Sequence, residues 1–140
     1  MIKKILNPGS YAQKINVALL FLRITIGIFM LTHGVGKFIQ LFGNDPIQFA
    51  DPIGIGQSAS LALAVFAEVF CSILLIFGIA TRVAVIPLLI TMLVAVLIVH
   101  SADAFGVKEM ALLYLTVYTT IAITGAGKFS VDNLVYKKIN

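Results

Sequence analysis

Four stretches of this chain, about Ile15–Val35, Gln57–Ile79, Arg82–His100 and Lys108–Thr124, are apolar over roughly the 20 residues that a helix needs to cross a bilayer. Hydrocarbon offers no partner to a free backbone amide, so a single run of this kind closes its hydrogen bonds internally as a helix. Composition agrees. Of the 140 residues, 60% are hydrophobic and only 11% charged, where an ordinary soluble domain carries about 25% charged residues. The mean hydropathy is +1.06. The expectation is an all-α fold, an integral membrane antiparallel four-helix bundle in one domain over residues 1–140.

The connections narrow the topology. Gly78 to Arg82 leaves room only for a tight turn, so the second and third spans form a helical hairpin. Ser101 to Val107 is also short. The long outer link, residues 36–56, carries Asn44-Asp45-Pro46 and Asp51-Pro52, which are turn and helix-start signals. A short interfacial helix over the bundle mouth fits there. Basic residues set the orientation. Lys3, Lys4, Lys14, Arg82, Lys128, Lys137 and Lys138 flank one side, and Lys37 and Lys108 the other. Seven against two puts both termini, with a tail at residues 125–140, on the cytoplasmic face of the membrane. Basic residues at span ends are anchors, so the net charge of +4 gives no nucleic-acid signal. Asn7-Pro8-Gly9 interrupts the basic start before any apolar core, unlike a cleaved signal peptide. Cys71 is the sole cysteine, which excludes an internal disulfide or a thiol pair.

Ionisable residues inside these runs are the functional lead. Arg23, His33, Glu68, His100 and Glu109 lie within or at the ends of the spans. A charge at the bilayer centre costs at least ~2.5–3.5 kcal/mol unless a partner or water meets it. A shared polar interior follows. Counted at ~1.5 Å per residue from the cytoplasmic ends, Arg23 and Glu68 fall at similar depths, so an ion pair between them is available. His33 and Lys37 share a face four residues apart. With His100 and Glu109 they gather in the outer half of the bundle, above Glu68. Arg23, Gly27, Met30, Gly34 and Lys37 form one stripe. Ala64, Ala67, Glu68, Cys71 and Ser72 form another, small enough for close helix contact. The fourth span offers two opposite faces, Glu109-Thr116-Thr120 and Tyr114-Tyr118-Gly125, and the sequence does not choose between them.

Each of these residues has a structural reading beside the chemical one. Glu68 either fixes helix register in an ion pair or exchanges protons and binds a ligand. His33 either bonds a helix-end carbonyl or donates to a ligand carbonyl. His100 reads first as a helix-end residue, Lys37 as a snorkelling anchor and Arg82 as an orientation signal. Cys71, Tyr114 and Tyr118 read as packing. His33 and His100 with Glu109 or Glu68 are scattered one per helix without HxxxH or ExxH spacing, so no metal or haem is expected. Gly125-Ala126-Gly127-Lys128 lacks the GxxxxGK[ST] spacing of a phosphate loop. It reads as a helix stop followed by a Ser130 or Asp132 cap and a short amphipathic tail.

Taken in order, several motifs resemble the DoxX family of small four-helix bacterial membrane proteins. They are Arg23 with Gly27, His33-Gly34-x-x-Lys37-Phe38, Glu68 followed by Leu74, Gly78 and Thr81-Arg82, and Gly125-Ala126-Gly127-Lys128-Phe129-Ser130-Val131-Asp132. Ala126 stands where the family's ending has proline. The resemblance marks Arg23, His33, Lys37, Glu68 and Arg82 as the family-matching polar positions. It implies a membrane subunit of a quinone-linked oxidoreductase for some relatives and maturation or trafficking roles for others.

The expected function is a redox-complex subunit with no cofactor of its own. A quinone-like lipophilic ligand sits in the outer half of the bundle. Glu68 and His33 are the candidate catalytic groups, and Arg23, Lys37, His100 and Glu109 the candidate ligand-binding groups. The bilayer, a redox or other partner subunit and a second copy of the chain are the expected partners. The alternative is a non-enzymatic scaffold or maturation factor. A small transporter fits less well, because only Pro87 hints at a broken helix.

Overall fold

A computed structural model of the chain describes residues 2–139, which form helices and turns and no strand. After a short α1 (Ile2–Ile5), the four spans are α2 (Gln13–Phe42), α3 (Gln57–Phe77), α4 (Thr81–Val99) and α5 (Phe105–Thr124). A final α6 (Val131–Lys138) follows. All four long helices are apolar enough to cross a membrane. Each span packs against the next, and α5 returns to α2, which closes an antiparallel bundle. Met30, Cys71, Leu75, Leu88, Tyr118 and Ile121 are among the side chains filling its core.

The first span is longer than expected. Nothing stops α2 at Val35: Gly36 is tolerated, Phe38, Ile39, Leu41 and Phe42 continue the apolar pattern, and the first proline after them is Pro46. The outer link therefore begins at Gly43, and no interfacial helix forms in it. Asp51 shapes it instead. Its carboxylate accepts from the amides of Ile55 (3.0 Å) and Gly56 (2.8 Å) and from the Ser60 hydroxyl (2.8 Å), which fastens the link to the first turn of α3.

The fourth span resolves in favour of the tyrosines. Tyr114, Tyr118 and Ile121 face inward, while Thr116 and Thr120 are exposed and bond the carbonyls of Leu112 and Thr116, each at 2.9 Å. In hydrocarbon such back-bonding satisfies a hydroxyl without a neighbour.

The end of the bundle that carries both termini is closed by polar clamps. Gly78 ends α3 in the left-handed region (φ 68°), with the amide of Ile79 bonded to Leu74 O at 2.9 Å, a Schellman stop. Ala80 follows at φ 45°, a costly conformation for a residue with a Cβ. Asp132 holds it by accepting from the amides of Ala80 (2.7 Å) and Thr81 (2.9 Å). The carboxylate thus satisfies the N-terminus of α4, while Ser130 caps α6 by accepting from Asn133 N at 3.2 Å. Arg82 does more than orient the chain. Its guanidinium donates to the carbonyls of Lys4, Asn7, Ala122 and Ile123 at 2.8–3.2 Å, binding the N-terminal segment to the end of α5.

Candidate functional site

Arg23 does not meet Glu68. It is fully buried at the termini-bearing end, where it donates to the carbonyls of Leu75 (3.0 Å), Ile76 (3.3 Å) and Phe129 (3.0 Å) and to that of Ala126. The reason is register. A Cβ on Gly34 would meet Glu68 and Val69, one on Gly27 would meet Ser72 and Ile76, and one on Gly78 would meet Arg23. Position 23 is therefore level with the end of α3, because α2 begins well before α3 ends. Glu68 lies about ten residues higher, ~15 Å at the helical rise. At the end of α3 the Leu75 carbonyl accepts from the Gly78 amide at 3.1 Å, and the guanidinium adds a second donor there and one at Ile76.

Glu68 pairs instead with Lys37, whose Nζ contacts Oε1. Two features produce this contact. Gly34 is one helical turn before Lys37, and an added Cβ there would sit 2.7 Å from Val69 Cγ2 and 3.0 Å from Glu68 Cβ. Only glycine lets α2 come this close to α3. The second feature is a π-helical turn in α3, Phe66–Cys71, which holds Glu68. Such turns cluster at functional sites, and no residue pattern announces this one. A second π turn, Ala95–Val99, ends α4 on the opposite wall.

Between these two irregular turns lies a cavity of about 440 Å³, within the range of ligand pockets, roughly 300–1,000 Å³. Met30, Ala64, Glu68 and Tyr114 line its inner part, and Ile90, Val94, Ala95 and Val99 its α4 wall. Phe49, Ala50, Pro52 and Ile53 of the outer link border its mouth. The lining is largely apolar, with a few convergent polar groups: His33, Lys37, Ser60, Glu68, Thr91 and His100. The His33 ring meets Tyr114 edge-on at 5.9 Å. Lys37 Nζ also lies 5.9 Å from the Phe49 ring centroid, so the cation touches both the buried carboxylate and the link.

Of the six residues singled out from sequence, the structure brings four to this cavity: His33, Lys37, Glu68 and His100. His100 is engaged by Asp103, with Nδ1 2.8 Å from Oδ2. Arg23 is excluded by the register just described. Glu109 is exposed in the first turns of α5 and does not line the cavity. No cluster of three metal-ligating side chains occurs among the described residues.

The sequence reading took Tyr118 for a packing residue and Ser72 for a small stripe residue, and gave neither a polar role. Among the described residues, four buried side-chain atoms lack a hydrogen-bond partner in the protein: Glu68 Oε2, Ser72 Oγ, Thr81 Oγ1 and Tyr118 Oη. Leaving such a group unpaired costs about 1–3 kcal/mol. The Glu68 oxygen belongs to a residue at the cavity; Ser72 and Tyr118 lie deeper in the core. The signal available in sequence was the tyrosine pair one turn apart on α5, whose tilted rings lie 5.8 Å apart between centroids.

Comparison with known proteins follows the same outline. The DoxX family model matches residues 18–101. A protein of Haemophilus influenzae described as uncharacterized is 32% identical over 127 residues, covering 86% of this chain and 92% of its own. The protein named "Putative oxidoreductase CatD" of Bacillus subtilis is 29% identical, covering 89% of this chain and 92% of its own. The protein named "Inner membrane protein YqjF" of Escherichia coli is 29% identical, with 88% and 95% covered. No solved structure matches significantly. The match over most of the spans, with the four-helix architecture, makes this chain a member of the DoxX family of membrane proteins.

Proposed function

We propose that the chain is the membrane subunit of a redox complex and holds a quinone-like head-group in the cavity around Glu68. One observation carries this reading: a buried carboxylate, paired on one oxygen with Lys37 and unpaired on the other, borders an apolar cavity of ligand size. A lipophilic ring fits the apolar walls. His33, placed on the cavity wall by its edge contact with Tyr114, donates to a ring carbonyl. Glu68 accepts a proton from a ring hydroxyl, and Lys37 keeps the carboxylate charge compensated, the task the sequence assigned to Arg23. His100 stays at the rim with Asp103.

A quinone-type group supplies two-electron, two-proton carrier chemistry when bound. Electrons reach it from a partner subunit or a soluble substrate. Similarity to a protein named as an oxidoreductase supports the redox reading. An inner-membrane placement is supported by the name of another relative. Cytoplasmic termini follow from the basic flanks, and the cavity then opens to the outer leaflet.

A specific observation also favours the scaffold reading. Arg23, Arg82 and Asp132 all serve architecture, clamping carbonyls and amides at helix ends. One experiment separates the two. Lipophilic molecules that co-purify in mild detergent are identified by mass spectrometry from wild type and Glu68→Gln. A quinone or similar head-group retained by wild type and lost from the variant is the expected result. The absence of any specific molecule from wild type would refute the redox reading and leave the scaffold.

A further inference from the structure

We propose that Glu68, Tyr118 and Ser72 enclose a site for internal water, which gives the free carboxylate oxygen a proton-exchange partner below the ligand cavity. The proposal deepens the reading of Glu68 as a proton-carrying group, but its test does not depend on any ligand.

Ser72 is four residues after Glu68, one turn deeper in α3. Tyr118 is one turn deeper than Tyr114 in α5, and Tyr114 borders the same cavity as Glu68. Tyr118 and Cys71, the neighbour of Ser72, belong to one packed cluster. Three unpaired polar atoms, Oε2, Oη and Oγ, thus lie at adjacent levels of the same core.

Chemistry then selects the occupant. A carboxylate oxygen only accepts, while a phenol and a serine hydroxyl each donate and accept. Water complements all three, and buried water typically makes about three hydrogen bonds to polar groups otherwise unsatisfied. The other ionisable groups at the cavity are Lys37, paired with Glu68, and His33 from α2, with His100 just after α4 at the rim. Lys37 already holds Oε1, so Oε2 is the oxygen that exchanges. A proton taken up at Oε2 passes to the water, and a water proton passes back in its place. No bond to carbon changes and nothing is oxidised or reduced.

X-ray hydroxyl-radical footprinting of the full chain in lipid nanodiscs tests the site, because radicals formed from bound water oxidise the side chain beside it. Tyr118, fully buried, is expected to be oxidised within about threefold of the rate of Tyr114 at the cavity. Ser72→Val should lower the Tyr118 rate at least about fivefold and leave Tyr114 unchanged, because the valine methyl occupies the water position. Infrared spectra with ring-labelled tyrosine give a second readout that needs only Glu68→Gln and Tyr118→Phe. Glu68→Gln should shift one tyrosine C–O band, and Tyr118→Phe should remove it. Wild-type Tyr118 that resists oxidation, or a C–O band indifferent to Glu68→Gln, overturns the proposal. Tyr118→Phe should retain any co-purifying head-group, so a dry site and an empty ligand cavity remain distinguishable results.

Discussion

Replacing Arg23 with methionine removes the guanidinium while keeping an unbranched apolar side chain in the span. The structure sets the magnitude. Arg23 donates to four carbonyls in three places: Leu75 and Ile76 at the end of α3, Ala126 in the turn after α5, and Phe129 before α6. Hydrogen bonds to charged groups contribute about 1.5–3 kcal/mol each, a gross of about 6–12 kcal/mol for four. Against this, the variant no longer buries a cation, which recovers several kcal/mol. A net loss of about 3–5 kcal/mol remains. At about 2–4 °C per kcal/mol for a chain near this size, Tm falls by roughly 6–20 °C. Cys71 supplies the assay: it is the sole cysteine and is buried, so a thiol-reactive dye reports thermal opening in detergent. Trypsin cleavage after Lys128 should accelerate in parallel, since the 126–132 segment loses its anchor. Arg23→Lys should recover only part of the stability, because one ammonium cannot reach all three places at once. Ligand retention should be unaffected in Arg23→Met, because the residue is remote from the cavity. A variant with wild-type Tm and an unchanged cleavage rate would refute the clamp.

Lys37→Met strands the buried Glu68 carboxylate and should destabilise by about 3–5 kcal/mol, whereas Lys37→Met with Glu68→Leu should recover most of it; the same thiol assay compares them. Gly34→Ala should separate α2 from α3 and cost roughly 1–3 kcal/mol by overpacking, with loss of any bound head-group seen by mass spectrometry. The Ser60 hydroxyl, followed by the Gly56 amide, holds the Asp51 carboxyl below its ordinary range. Its stabilisation of the link is therefore complete above the unfolded carboxylate value and is lost as pH falls through the lower folded value. Protection of the Ile55 and Gly56 amides against hydrogen exchange, taken relative to the intrinsic rate at each pH, should be high at neutral pH and fall in acid, and Asp51→Asn should weaken that pH dependence. Equal protection at both pH values in wild type counts against the latch.

The four spans were legible because hydrocarbon tolerates so few sequences, and a run of apolar residues of the right length has one solution. The partner of Glu68 was not, because depth was counted from span ends assumed level. The ten residues of α2 that precede Arg23 break that assumption, and only the glycine contacts at 27 and 34 reveal the true register. Lys37, read as an anchor, is the residue that register delivers to Glu68. The π turns were invisible for a different reason: Phe66–Cys71 and Ala95–Val99 use ordinary helix-compatible residues, and only packing decides the extra residue per turn. The tyrosine face of α5 was ambiguous because threonines that bond their own helix suit lipid as well as tyrosines suit a core.

The anchoring of residues 126–132 has a consequence for how this molecule is made. Arg23 enters the bilayer with the first span, long before Ala126 and Phe129 have been synthesised. The amides of Ala80 and Thr81 likewise wait for Asp132. Until then a nascent bundle carries a guanidinium met only by the Leu75 and Ile76 carbonyls and an uncapped helix at one end. Synthesis of this late segment is thus what completes the membrane-embedded part. Truncation before Asp132 should leave a protein that inserts but is handed to membrane proteases, so this short polar segment acts as a checkpoint on biogenesis.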